Sequence, residues 1–313
     1  MLQACLGVAA LSAPVGATAR DVQTGFHFRT GFWRNLHHAL YADASGQPGS
    51  STPWLALTPG DQAALDGQPP QALSAWTEAR DIYGAQVSGR HLLFDARLRS
   101  MGHALSDAGE GADPPDEVPP GLRAALALAA PVYGAALWDR HQRNTRTWTA
   151  GLRGRLAEHE AALSARLVDV FEAPWPPAPI IVEVSAYGSA EGAYTTINPL
   201  RIAVAALDPA NQEDAALEIL MHETAHAMSG PLEAMLRDAG LAERRPQLWH
   251  QALFYLVGRI TAERLTGYTP YADANNLWRR FWSPQDRARL AGPMDALLRG
   301  ETTLAGAVQA LAG

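Results

Sequence analysis

The sequence predicts an α+β fold that is mostly helical, on the basis of three observations. The first half of the chain carries long stretches with apolar residues at helical spacing. A proline-rich segment at 173–179 then interrupts this pattern. Short β-branched runs follow at 180–205, and a segment without glycine or proline covers 210–228. We therefore expect a helical N-terminal region at 20–172 and a second region at 173–313.

The composition restricts the function classes. The chain has 313 residues, of which 47% are hydrophobic and 18% charged, as in globular proteins. A net charge of −7 argues against nucleic acid or an anionic membrane as the main partner. No integral membrane span is expected after the N-terminus. All 25 basic residues are arginine and the single cysteine is Cys5, so Schiff-base, P-loop and thiol chemistry lack their key residues.

Residues 1–19 have the composition of an export leader. The segment 2–15 is mostly apolar or small, and Ala17-Thr18-Ala19 supplies an A-x-A cleavage site. The positively charged start of such a leader is missing, and the residues before Cys5 also resemble the end of a lipoprotein signal. The alternative is an apolar N-terminal segment of a cytosolic protein. We expect an exported protein, either periplasmic, secreted or lipid-anchored.

The N-terminal region is expected to consist of helices and two loops. Helical patterns cover 26–44, 71–108 and 121–171, and loops rich in proline, glycine or acidic residues cover 45–71 and 109–121. His37 lies on one helical stripe with Trp33 and Tyr41, and His38 lies beside it. These two histidines either line a functional cleft or pack in the core.

The second region is expected to begin with a sheet. Strands are predicted at 180–184, 193–197 and 201–205. A helix should follow, with Asp208-Pro209 at its start and Ser229-Gly230-Pro231 at its end. A second helix is predicted at 246–266.

The first of these helices carries the motif H-E-x-x-H as His222, Glu223 and His226. Histidines four apart lie on one helix face, so both imidazoles can bind a single ion. Glu223 lies about a quarter-turn away, where it can hold a metal-bound water without being a ligand. The surrounding residues are mostly apolar, and a metal would satisfy polar groups that are otherwise costly to bury. The pattern therefore predicts a metal site.

In this motif the chain resembles the zincin metallopeptidases. The resemblance implies a zinc-dependent metallopeptidase with one Zn²⁺ per chain, in which Glu223 activates a zinc-bound water and the partner is a peptide or protein substrate. It also implies that a small twisted sheet packs on the active-site helix. The strand at 193–197 would then be the edge that pairs with the extended substrate, although it is equally consistent with a plain sheet strand.

A catalytic zinc site needs a third protein ligand. The metzincin pattern would require glycine at position 229 and histidine at position 232, whereas this chain has Ser229 and Leu232. The gluzincin-like arrangement takes its third ligand from a later helix, which here contains His250 and Glu263. These two are 13 positions apart, about 220° around the helix axis, so only one of them can face the metal. We favour His250, although the family pattern has glutamate there; Glu233 is a third candidate.

Such sites usually also contain a donor for the oxyanion. Tyr271 is the predicted donor, and the alternatives are Tyr268, His37 and His38. Glu218, one turn before His222, is expected to orient an imidazole.

Two other functions are compatible with the motif. One is a zinc hydrolase of a non-peptide substrate, and the other is a non-catalytic metal-binding or interaction domain. Glu223 argues against the latter, because a purely structural metal site needs no base beside it.

Overall fold

The computed structural model describes residues 24–47 and 55–312. The predicted leader at 1–19 and Cys5 lie outside the described residues. Within them the chain is mostly helical and has one small four-stranded sheet, so the predicted α+β class is confirmed.

The first elements are β1 (Phe26–Arg29), α1 (Phe32–Ser45), α2 (Pro59–Asp66), α3 (Pro70–Gln86) and α4 (Ala96–Asp107). Two of them were not predicted. Strand β1 occupies the first residues of the helix expected at 26–44, so that prediction was wrong there and α1 begins only at Phe32. Helix α2 lies within the expected loop at 45–71. The predicted helix at 71–108 is two helices, because the chain turns between α3 and α4. Gly89 has a φ of +79° in this turn, a conformation that favours glycine.

A continuous helical stretch follows the loop at 109–119. It consists of α5 (Pro120–Tyr133), a π-helical turn at Gly134–Trp138 and α6 (Asp139–Phe171), as the helical pattern at 121–171 predicted. By length and composition this stretch could cross a membrane. Helices in the core of a protein can be equally long and apolar. In this stretch, 44% of the most apolar 18-residue segment is buried inside the molecule. The expected absence of a membrane span stays a prediction.

The sheet consists of β1, β2 (Ile180–Ser185), β3 (Ala193–Ile197) and β4 (Leu200–Ala205), in the order β1-β2-β4-β3. The three predicted strands are confirmed. Strands β1, β2 and β4 are parallel, whereas β3 runs antiparallel to β4 and lies at the edge of the sheet.

The remaining elements are helical: α7 (Glu213–Ala225), α8 (Gly230–Asp238), α9 (Leu241–Arg244), α10 (Leu248–Arg264), α11 (Tyr271–Ala274), α12 (Leu277–Arg280), α13 (Pro284–Leu298) and α14 (Leu304–Ala312). Helix α10 confirms the helix predicted at 246–266. The start predicted for the motif helix was wrong by a few residues. Asp208 instead caps a short 3₁₀ turn by accepting from the Ala210 N–H at 2.9 Å, and α7 begins only at Glu213.

Two hydrophobic cores lie on opposite faces of the sheet. Ile202 and Val204 face the core that contains α7, α10 and α13, whereas Tyr194 and Ala203 face the core formed by α1, α3 and α5. Since neighbouring strand residues point to opposite faces, the apolar sequence of these strands serves both cores. The second half of α6 contributes buried side chains to the core that contains α7. The division into regions at 20–172 and 173–313 stays a prediction.

Candidate metal centre

Helix α7 positions the two motif histidines. Ile219, Leu220 and Met221 are buried and hold the helix against the sheet and α10. His226 is the C-cap residue, and its N–H still donates to the His222 carbonyl, so the helical spacing of the motif is preserved. The two imidazole centroids are 4.9 Å apart. The motif thus places both rings on one helix face, as predicted.

Helix α10 brings His250 to the same place. Its ring centroid lies 5.3 Å from that of His222 and 5.2 Å from that of His226. One ligand atom from each of these three residues lies within 4.8 Å of the other two. Glu263 is exposed near the far end of α10, and the Glu233 carboxylate accepts the Ser229 hydroxyl. Within the described residues, His250 is therefore the candidate that joins the motif histidines.

Burial keeps all three imidazoles neutral. Burial, together with the neighbouring histidines in the case of His222 and His226, lowers the pKa of His222 well below 6.5 and that of His226 to about 3. Burial alone lowers the pKa of His250 to about 4. A neutral imidazole is the form that binds metal ions. Both ring nitrogens of His222 are buried and have no hydrogen-bond partner among residues 24–47 and 55–312. Because an orphaned buried polar atom is costly, a cation at the cluster would satisfy one of these nitrogens.

Glu223 lies beside the cluster. It is 6% exposed, and its Oε2 lies 4.0 Å from His226 Nε2. The Thr195 hydroxyl, on β3, donates to Oε2 at 2.7 Å. Burial raises the pKa of the Glu223 carboxyl to about 7, although the hydrogen bond from Thr195 lowers it. The carboxyl can therefore exchange a proton near neutral pH.

Aromatic rings surround the three imidazoles. Phe254 stacks on His222 with a centroid distance of 3.7 Å, and Trp249 stacks on His250 at 5.0 Å. Trp282 meets His250 edge-on at 5.9 Å. These contacts restrict how the imidazoles can rotate and keep their surroundings apolar.

Tyr271 stacks on Phe254, which in turn stacks on His222, so it lies behind Phe254 as seen from the three histidines. Its ring is nearly parallel to Phe254 at 6.2 Å, and it is 7% exposed. Burial raises the pKa of its hydroxyl, and the nearby Glu218 and Glu223 carboxylates raise it further. The hydroxyl therefore stays protonated and can donate a hydrogen bond at neutral pH. Its role as an oxyanion donor stays a prediction.

No protein-family model, curated protein or solved structure matches this chain. The likeness to zincins therefore rests on His222, Glu223 and His226 alone and stays a prediction.

The alternative oxyanion donors contact other groups. His37 and His38 are 1% exposed; their Nδ1 atoms lie 3.1 Å from the Tyr83 hydroxyl and 2.8 Å from the Ser185 hydroxyl. The Tyr268 hydroxyl lies beside Glu218 without regular hydrogen-bond geometry.

Glu218 does not orient an imidazole, contrary to expectation. Its Oε2 accepts the backbone N–H of Tyr271 at 2.8 Å, whereas the nitrogens of His222 have no hydrogen-bond partner in the part of the chain that the structure describes. The reason is that α11 lies close to α7, so the backbone N–H of Tyr271 occupies the position beside the Glu218 carboxylate. Glu218 thus holds α11 beside the cluster.

Thr195 and Trp249 are the site residues that the sequence did not indicate. The alternation of β3 places Thr195 on the face of Ala193, but only the packing of α7 puts Glu223 opposite it. Trp249 lies next to His250 along the chain, and an aromatic neighbour by itself is a weak signal.

Proposed function

We propose that this protein is a zinc-dependent hydrolase that cleaves peptide bonds. The observation that carries the proposal is the convergence of three neutral imidazoles, from His222, His226 and His250, with the carboxylate of Glu223 beside them. A base next to a three-nitrogen site is typical of catalytic rather than structural zinc.

The donor set fits zinc. Three imidazole nitrogens suit this ion and leave one coordination position for water or substrate. His222, His226 and His250 would hold the ion, which when bound makes water more acidic and polarises a carbonyl.

Glu223 is the acid–base residue in this proposal. Its carboxylate accepts a proton from the attacking water and transfers it to the leaving amine of the cleaved bond. Such a residue works best when its pKa is close to the working pH, and burial raises the pKa of Glu223 to about 7.

Strand β3 supports a peptide as the substrate. Among the described residues it is one of the two edge strands of the sheet, β1 being the other, and Thr195 connects it directly to Glu223. An extended peptide can add to such an edge through main-chain hydrogen bonds, which would lay its backbone beside the three histidines.

The test combines metal analysis with cleavage of a mixed peptide library by the wild type and the Glu223→Gln variant. We expect about one zinc per chain in both proteins, and peptide cleavage that is slower in the variant by roughly 10²- to 10⁴-fold. Wild-type protein that purifies without zinc, or a variant that cleaves equally fast, would refute the proposal. Zinc retention without peptide cleavage would favour a non-peptide substrate or a non-catalytic metal site.

A further inference from the structure

The hydroxyl of Thr195 is hydrogen-bonded to Glu223. Thr195 Oγ1 lies 2.7 Å from Oε2 of the Glu223 carboxylate and 2.9 Å from the Glu223 carbonyl oxygen. Thr195 is 8% exposed and Glu223 6%. The contact joins the edge strand β3 to helix α7 across 28 positions of sequence.

This contact restricts a side chain that would otherwise move. A glutamate has three rotatable side-chain bonds, and ordering it costs rotamer entropy. Among the hydrogen bonds of the described residues, Thr195 supplies the one that the Glu223 carboxylate accepts. The Thr195 hydroxyl donates to Glu223 Oε2, so Glu223 Oε1 can accept a hydrogen bond from another group.

A hydroxyl is suited to this position because it both donates and accepts hydrogen bonds. While Glu223 is a carboxylate, the Thr195 O–H donates to Oε2. The same hydroxyl lies 2.9 Å from the Glu223 carbonyl oxygen, so it contacts both the side chain and the backbone of this residue.

We propose that Thr195 is a positioning residue that holds the Glu223 carboxylate in its working orientation and couples it to the edge strand. The proposal deepens the function proposed above and rests on it for its kinetic consequences. A base displaced by about 1 Å can lose up to roughly a hundredfold in rate. Removing the hydroxyl should therefore affect turnover more than substrate binding.

The kinetic test compares Thr195→Val, which removes the hydroxyl at nearly constant volume, with Thr195→Ser, which keeps it. We expect Thr195→Val to retain zinc and to lose roughly tenfold to a hundredfold in kcat with little change in KM. Thr195→Ser should restore most of kcat. A Thr195→Ala variant serves the same purpose if the valine variant folds poorly.

Thr196→Val is the matched control. Thr196 is the next residue of β3 and points to the other face, where its hydroxyl donates to the Pro199 carbonyl at 2.9 Å and lies 3.2 Å from His103 Nε2. This change disturbs the same strand without contact to Glu223. A kcat loss in Thr196→Val equal to that in Thr195→Val would overturn the proposal.

A second readout needs neither metal nor activity. In metal-free protein labelled with ¹³C at the glutamate carboxyls, the Glu223 resonance is identified by its absence from Glu223→Gln. Thr195→Val should shift this resonance, whereas Thr195→Ser and Thr196→Val should leave it nearly in place. An unmoved resonance in Thr195→Val contradicts the proposal. A shifted resonance in a protein that cleaves no peptide would refute the peptidase function and leave the positioning role intact.

Discussion

The three imidazoles differ in their access to solvent. His222 is 1% exposed and stacks on Phe254, whereas the His226 side chain is 18% exposed and His250 is partly buried. Solvent therefore reaches the cluster from the side of His226 and His250. Glu223 Oε2 lies 4.0 Å from His226 Nε2, so water entering there meets the proposed base.

Replacing His250 tests the ligand set. We expect His250→Ala to purify without bound zinc, because two imidazoles on one helix hold the ion too weakly. Glu263→Ala, an exposed change on the same helix, should keep about one zinc per chain. Elemental analysis after dialysis measures both, and circular dichroism checks that both variants are folded. Loss of zinc from Glu263→Ala alone would make Glu263 the ligand.

The buried Glu218 carboxyl makes stability depend on pH. Burial raises its pKa to about 7 from 4.5, so the folded state binds this proton more strongly than the unfolded state. Its contribution to stability is therefore complete below about pH 4.5 and is lost as the pH rises through 7.

A Glu218→Gln variant isolates this effect because it cannot titrate at that position. We expect the stability of the wild type relative to Glu218→Gln to fall between pH 4.5 and pH 8 by on the order of 3 kcal/mol. Urea unfolding of both proteins at several pH values measures this difference. A difference that is constant with pH would contradict the expectation.

At the scale of elements, the site depends on how closely α10 crosses α7 and the segment before α11. Gly258 allows this approach: a Cβ at this position would lie 2.9 Å from the Pro270 Cβ and 3.1 Å from Glu218 Oε1. The backbone of α11 is in turn held by the hydrogen bond from Tyr271 to Glu218. A small residue and a buried carboxylate thus set the positions of the helices that carry His222 and His250.

A methyl group at position 258 should push these elements apart. We expect Gly258→Ala to destabilise the protein by roughly 1–3 kcal/mol, despite the higher helix propensity of alanine, and to weaken zinc retention. Urea unfolding and elemental analysis provide the measurements.

Gly84→Ala is the matched control for this change. Gly84 is an exposed residue of α3, and a methyl group added there would have no neighbouring atom of the described residues within 4 Å. Alanine should therefore stabilise the protein at this position by about 0.5–1 kcal/mol. Equal effects of the two substitutions would show that α10 can shift to accept the methyl group.

At the scale of the whole molecule, the sheet and α6 connect the two ends of the chain. Strand β1 pairs with β2 across about 150 residues, and α6 places Leu152, Leu156 and Leu163 in the core behind α7. The metal-site helices therefore pack on residues from both sides of position 172. Side chains at this interface are almost completely buried, so removing one side of it exposes a large apolar area.

The chain of residues 173–313 alone tests this dependence. We expect it to show no cooperative thermal transition and to hold no zinc, because it lacks β1 and the α6 leucines. The full chain, treated identically, should show a cooperative thermal transition and bind zinc. A cooperative transition with one zinc bound in the shorter chain would establish that residues 173–313 fold independently.

Local pattern was sufficient for much of the fold and for part of the site. The strands at 193–197 and 200–205 follow from β-branched runs between turn residues, and α10 follows from its apolar spacing. Strand β1 was missed because four residues, FHFR, carry little periodicity and its partner lies far along the chain. The start of α7 was misplaced because Asp208 caps a 3₁₀ turn as readily as an α-helix.

The sequence by itself determined that His222 and His226 share a helix face, since a spacing of four residues is a property of the helix. The choice between His250 and Glu263 as their neighbour was decided only by the tertiary structure. Both lie on α10, and its rotation against α7 is set by packing contacts between residues distant in sequence. The contact of Thr195 with Glu223 has the same origin, because it joins an edge strand to a helix through a core that no local pattern describes.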